Sequence, residues 1–313
     1  MRAHGWFLHA ASSLPPPAVA SSSIPFDFRT PAGLTLRGEL WGEGSRDLVF
    51  THGNGFTAQA YAPALAPLAA RVRLHGVNLR GHGGSDVPAD FPDWDGPYED
   101  LVAYLRERCT APALVAGHSY GATVSLRLAA EHPELVAGLL LLEPLVLWGR
   151  RDDWAAQDAS RSSRMIASAG QRRSHGPSRE EAAAWLRARG SYQAWAEPAF
   201  TAFVATALVP APEGGVQLAC PPWLEARGYA TLPDAIVFRW ADAIRVPSVF
   251  LRGQQSFPGG PLEELARAIP ISVVMSLKGT HTFPMEHPAD TGRALAAGLD
   301  VLLKAEGGGM VEL

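Results

Sequence analysis

Apolar positions along the chain follow two rhythms. Short runs of β-branched and aliphatic residues, each stopped by glycine or proline, predict strands near residues 24–30, 34–41, 47–51, 72–77, 113–116, 138–142, 246–252 and 271–277. Between the later runs, helical periodicity predicts helices over 58–70, 98–108, 121–132, 262–268 and 291–304. In the last of these Leu295, Leu299, Leu302 and Leu303 recur at helical spacing, with Asp300 and Lys304 elsewhere around the turn. Two antiparallel-looking strands followed by repeated strand–helix units imply an α/β fold, a mostly parallel eight-stranded sheet flanked by helices. About 100 residues between Pro144 and Val246 break the alternation. They carry helical patterns at 178–189, where Ser178 and Glu181 form a capping box, and at 197–208, with no convincing strand. The expected organisation is therefore a core of residues 24–143 and 246–305, an inserted helical cap at 144–245, a flexible leader at 1–23 and a C-terminal tail at 306–313.

Composition narrows the function. An apolar fraction of 47% in 313 residues excludes a disordered chain, and a net charge of −4 offers no basic surface for nucleic acid. Two cysteines, Cys109 and Cys220, make neither a disulfide framework nor a zinc site. The richest apolar stretch, residues 135–148, is broken by Glu143 and Pro144, short of a membrane span. The expected partner is a small molecule rather than nucleic acid or membrane, with the chain a monomer or homodimer. At the N-terminus Ala18-Val19-Ala20 has the form of a signal-peptidase site, but His9, Ser12, Ser13 and Pro15 to Pro17 interrupt the apolar run before it. The expected location is cytoplasmic, with secretion the alternative.

Four segments carry candidate chemistry. Gly117-His118-Ser119-Tyr120-Gly121 follows one predicted strand and opens a helix. Such a sharp strand–turn–helix holds the central residue in a strained conformation and exposes its hydroxyl at the carboxyl edge of the sheet. His52-Gly53-Asn54-Gly55 follows another strand, and its glycines let backbone N–H groups approach a developing oxyanion. Asn78 to Asp86 reads as a bracing loop, and Gly279-Thr280-His281 follows the last strand, where a general base belongs. No His/Cys cluster has metal-ligand spacing and no phosphate-binding glycine loop is present, so neither a metal nor a cofactor is expected. His118 is expected to pack behind the elbow, and His52 and His82 to make structural hydrogen bonds.

In order, the H-G-x-G loop, the R-G-H-G-x-S-D segment, the G-H-S-x-G elbow and the late G-x-H resemble the α/β-hydrolase fold family, in its cap-bearing serine hydrolase branch. The resemblance covers about residues 24–304. It implies Ser119 as nucleophile, His281 as base, and an oxyanion hole from the N–H groups of Asn54 and Tyr120. One element departs from the family pattern. Its usual acid lies three residues beyond the glycine ending the seventh strand, yet Gly253-Gln254-Gln255-Ser256 places serine there, and no aspartate occurs between Asp242 and Asp290. Glu143, ending the sixth strand, is the expected replacement, with a cap-hinge role as its alternative; Ser256 cannot carry the charge, and its loss is expected to be nearly silent.

The resemblance implies a serine hydrolase cleaving a carboxylic ester of a small, largely apolar substrate. On the same site the alternatives are a C–C bond hydrolase, a cofactor-free peroxidase or an acyltransferase. A non-catalytic binding protein is the alternative of another class. Dehalogenases and epoxide hydrolases of this fold need a carboxylate where Ser119 stands. Five tryptophans in the predicted cap, Trp148, Trp154, Trp185, Trp195 and Trp223, are expected mostly in its core.

Overall fold

The computed structural model describes residues 23–110, 112–146, 155–232, 234–256 and 260–306. All but one residue of the expected leader, all but Glu306 of the expected tail, and Trp148 and Trp154 lie outside the described residues. In chain order come β1 (Ile24–Arg29), β2 (Thr35–Trp41), β3 (Asp47–Thr51), α1 (Ala62–Ala69), β4 (Arg73–Asn78), α2 (Asp95–Arg108), β5 (Ala113–His118), α3 (Tyr120–Glu131) and β6 (Val136–Leu142). The inserted segment follows: α4 (Ala155–Gly170), β7 (His175–Gly176), α5 (Arg179–Arg187), α6 (Glu197–Ala207), β8 (Leu208–Pro210), β9 (Val216–Leu218), α7 (Pro222–Ala230) and α8 (Asp234–Ala243). The chain then returns through β10 (Ser248–Gly253), α9 (Gly260–Ala268), β11 (Ser272–Leu277), α10 (Phe283–Glu286) and α11 (Pro288–Glu306).

Eight strands form one sheet in the order β1-β2-β4-β3-β5-β6-β10-β11. β1 and β2 run antiparallel to their neighbours and the remaining pairs are parallel. This is the mostly parallel, helix-flanked sheet that the strand–helix alternation implied, and the fold that the resemblance to the α/β-hydrolase family implied. Helices cover both faces, so the central strands are buried on both sides and read as continuous apolar runs. Successive residues of β6 feed the two cores: Leu139 and Leu141 pack with Leu101 and Phe250, and Leu140 and Leu142 with Phe50 and Leu299. Because β5 pairs with β6 so that His118 lies opposite Leu142, Ser119 and Glu143 leave the sheet side by side at its carboxyl edge.

Within the insert the structure adds what periodicity did not reveal, a small antiparallel sheet in the order β7-β9-β8. Its strands have two or three residues, too short for a period-2 pattern to register. At α5 one arm of the capping box forms, Glu181 N–H donating to Ser178 Oγ at 3.2 Å. α7 packs on α4, whereas α8 lies against α3 and α9 of the core. Several contacts among the described residues tie the insert to loops at the carboxyl edge. Asn54 Nδ2 donates to Glu225 O (2.9 Å), Trp94 Nε1 to Gly228 O (3.0 Å) and Ala196 N to Met285 O (2.8 Å), and the Thr57 and Thr206 hydroxyls meet at 2.8 Å. Among the described residues no helix is long and apolar enough to cross a membrane.

Candidate active site

The turn between β5 and α3 depends on its two glycines. A Cβ at Gly117 would lie 2.6 Å from Ala122 N, and one at Gly121 would lie 2.5 Å from Thr51 O. With those side chains absent, helix and strand close together and force Ser119 to φ 51°, ψ −112°, a conformation that L-residues rarely adopt. Backbone bonds hold it there: Ser119 N–H donates to Leu142 O, and its carbonyl accepts from Thr123 and Leu145.

His281 follows β11 on a loop braced by Glu286, whose carboxylate accepts from Thr280 N–H (3.0 Å) and from the Thr282 hydroxyl (2.7 Å). Its Nδ1 lies 2.6 Å from Glu143 Oε2. A carboxylate on Nδ1 fixes the tautomer, leaving Nε2 as the proton acceptor. Glu143 is itself buried and strained, at φ 41°. Its Oε1 accepts from Gly253 N–H at 2.6 Å, and its Oε2 also accepts from the Ser256 hydroxyl at 2.5 Å. The structure thus brings together Glu143, His281 and Ser256, the residue expected to be a bystander. Only the coordinates carry that signal, because position 256 supplies no charge.

Around Asn54 the amides are almost all committed. Gly53 N–H donates to the Tyr61 hydroxyl (3.2 Å) and Gly55 N–H to His82 Nε2 (3.0 Å), which leaves the Asn54 N–H uncommitted among the described residues. The Tyr120 N–H is the first of α3, where no intrahelical partner exists. Both amides belong to segments joined at the site, since Gly121 N–H donates to His52 O at 3.1 Å.

Three buried histidines lock these loops, each with both ring nitrogens used. His52 Nε2 accepts from Leu79 N–H (3.1 Å) while His52 Nδ1 donates to Gly53 O (2.8 Å). In return His82, on the opposing loop, accepts from Gly55 N–H and donates through Nδ1 to Arg80 O (3.0 Å). His118 donates through Nε2 to His281 O (2.9 Å), so its Nδ1 must accept from the Tyr61 hydroxyl (2.6 Å). Burial holds all three rings below the ordinary imidazole range, His82 at about 4. Repulsion from a protonated neighbour adds to this, His82 acting on His52 and His281 on His118.

Over the Asn54 loop, the insert contributes an ion pair between half-buried Arg172 and buried Glu225, Nη2 to Oε1 at 2.8 Å. Burial pushes the Glu225 carboxyl up against the opposing pull of Arg172, and its Oε2 has no hydrogen-bond partner among the described residues. The pair faces a cavity of about 330 Å³ between α4 and α7, also lined by Met165, Ser168 and Tyr229. Nearby, Phe56 meets Trp195 edge-on at 5.1 Å, and Trp195 meets Phe203 at 5.4 Å. Trp195 is thus core, as expected of most cap tryptophans, whereas Trp223 is 42% exposed. At the opposite end of the sheet Asp47, His75 and Cys109 lie close enough to share a cation. There the Asp47 carboxylate already accepts from Arg73 (2.5 and 2.9 Å), His75 (2.9 Å) and Thr110 N–H (2.7 Å), the coordination of a structural anion.

Several known proteins resemble the chain. Over 104 residues it is 38% identical to the dihydrolipoyllysine-residue acetyltransferase component of an acetoin cleaving system from Pseudomonas putida, covering 33% of this chain and 28% of that one. Over 101 residues it is 37% identical to the pimeloyl-[acyl-carrier protein] methyl ester esterase of Edwardsiella ictaluri, covering 32% and 36%. The matched stretch thus spans about a third of the length of these relatives. Among solved structures, E-2-(acetamidomethylene)succinate hydrolase superposes with a TM-score of 0.73 at 21% identity, covering 89% of this chain and all of that one. The thioesterase domain from the curacin biosynthetic pathway gives 0.71 at 20% identity, over 90% of this chain and 100% of its own. The model of the alpha/beta hydrolase family matches residues 48–294, and the chain belongs to that family.

Proposed function

We propose that the protein is a serine hydrolase that cleaves a carboxylic ester of a small, largely apolar substrate through an acyl-enzyme. Ser119 Oγ attacks the ester carbonyl while His281 Nε2 takes its proton, and Glu143 stabilises the imidazolium that forms. The N–H groups of Asn54 and Tyr120 hold the oxyanion. His281 then protonates the departing alcohol oxygen, and a water molecule, deprotonated by the same ring, releases the acid and restores Ser119. The reading rests on one observation above the others, the Glu143 carboxylate 2.6 Å from His281 Nδ1 beside a strained Ser119. The pimeloyl methyl ester esterases among the relatives support ester chemistry.

In this reading the insert is a lid, its α4–α7 portion lying over the Asn54 loop, and the aromatic group of Phe56, Trp195 and Phe203 gives its underside an apolar character. A panel of p-nitrophenyl esters from acetate to palmitate, combined with a fluorophosphonate probe, tests the proposal. Hydrolysis and labelling at Ser119, both lost in Ser119→Ala, are expected. A wild-type protein that neither turns over an ester nor takes the label overturns it in favour of a binding protein.

A further inference from the structure

Ser256 occupies the place beyond β10 from which a carboxylate could address His281, yet the acid comes from β6 instead. The Ser256 hydroxyl donates to Glu143 Oε2, the same oxygen that receives His281 Nδ1, while Gly253 N–H holds Oε1 from the same turn. That turn is rigid where it matters. Gln254 N–H donates to Leu277 O (2.7 Å) and Gln255 N–H to Gly279 O (2.9 Å), so it is stitched to the loop that carries His281. A Cβ at Gly253 would lie 2.4 Å from Thr280 O, which shows how closely the two loops pack.

We propose that Ser256 is a positioning residue, acting with Gly253 as a two-donor clamp that fixes the rotamer and direction of the Glu143 carboxylate. The inference rests on the serine-hydrolase reading above and deepens it. A glutamate side chain has one more rotatable bond than aspartate, and here it starts from a strained backbone, so its carboxylate needs anchoring to keep one oxygen on the ring. A charge-assisted hydrogen bond of this kind serves most in the transition state, when the imidazolium has formed and a misdirected carboxylate would leave it uncompensated. Removing it therefore acts on turnover rather than on substrate binding.

The test uses the full chain with Ser256→Ala, Ser256→Thr, Glu143→Gln and the double variant Glu143→Gln/Ser256→Asp. The readouts are steady-state ester kinetics and the downfield NMR resonance of the His281 Nδ1 proton, which reports the Glu143 contact without catalysis. Ser256→Ala is expected to lower kcat by about tenfold to a hundredfold with KM nearly unchanged, to shift or broaden the resonance, and to be rescued by Ser256→Thr. The double variant is expected to recover part of the activity lost in Glu143→Gln, because its new carboxylate stands beside the site the old one held. A reactive wild type with unmoved kcat and resonance in Ser256→Ala overturns the clamp. An unreactive wild type whose resonance still moves in Ser256→Ala overturns the hydrolase reading and leaves the clamp standing.

Discussion

Lowering the pH from 6 to 5 should destabilise this protein steeply, because the loops around Ser119 are closed by imidazoles that must stay neutral. His52, His82 and His118 each accept a hydrogen bond at one ring nitrogen, from Leu79 N–H, Gly55 N–H and the Tyr61 hydroxyl. Protonation turns each acceptor into a donor facing a donor. Their folded values lie below the ordinary 6.5, at about 4 for His82, whereas in the unfolded chain they titrate normally. As pH falls below 6.5 the unfolded state takes up protons that the folded state refuses. Stability is therefore complete above that value and is lost progressively down to the folded one. Between pH 6 and 5 the His82 ring alone costs about 1 kcal/mol, and His52 and His118 add losses of the same sign, together a large share of the stability of an ordinary domain. Burial also lowers His75, which acts in the same direction. Glu225, whose carboxyl burial raises, offsets part of the loss by protonating in the folded state first.

Urea unfolding followed by tryptophan fluorescence at half-unit steps from pH 7 to 4.5 measures this slope directly. His82→Gln keeps an acceptor for Gly55 N–H but cannot titrate, and should remove about 1 kcal/mol of the loss between pH 6 and 5. A wild-type stability that is flat across that interval, or a slope unchanged in His82→Gln, refutes the argument that these rings are held neutral.

Three further outcomes follow from the site. Glu143→Gln keeps the shape but not the charge, and should lower kcat for the ester that the wild type turns over best by about 10⁴ while leaving KM close to wild type. Arg172→Met should cost about 3–5 kcal/mol in urea unfolding, since it leaves the buried Glu225 carboxylate unpaired; Glu225→Leu, which leaves a partly exposed arginine, should cost less, and the double variant much less than their sum. Tyr61→Phe removes the donor to His118 and the acceptor of Gly53 N–H together; kcat should fall about tenfold, read on the same ester, as the Asn54 and His281 loops lose their common tie.

What could be read from the sequence depended on whether the signal was local. The central strands showed themselves because buried parallel strands are unbroken apolar runs, and the G-H-S-x-G turn because its glycines have a steric reason that operates over five residues. Glu143 was legible as a candidate from the missing aspartate near residue 256 together with its own place at the end of the sixth strand. Its contact with His281 joins residues 138 positions apart, which no spacing rule encodes. The same holds for Ser256 and Glu143, 113 apart, and for Asn54 and Glu225, 171 apart. The short sheet in the insert failed to register for the opposite reason, having too few residues per strand to set a period. Polar residues that serve each other across the fold leave no mark on the chain; those that shape the backbone locally do.

The two positive-φ residues other than glycine among those described, Ser119 and Glu143, end neighbouring strands, and this pairing leads to a final prediction. At Ser119 a φ of 51° with ψ −112° costs on the order of 1–3 kcal/mol for a residue with a Cβ. Ser119→Ala removes the nucleophilic oxygen but keeps the Cβ, so the strain stays and stability should remain near that of the wild type. Ser119→Gly removes the Cβ as well. It regains the strain energy but loses about 0.5–1 kcal/mol to the greater freedom of glycine in the unfolded chain. The glycine variant should therefore be more stable than the alanine variant by about 1 kcal/mol, although neither hydrolyses an ester. Such an order is the reverse of the usual one in ordered structure, where alanine is the more stable of the two. Urea midpoints of the two variants, compared at pH 7.5 where the buried histidines contribute no slope, decide the matter. If alanine proves the more stable, the turn is not strained, and the position of Ser119 at the sheet edge has to be explained by the packing of β5 against α3 alone.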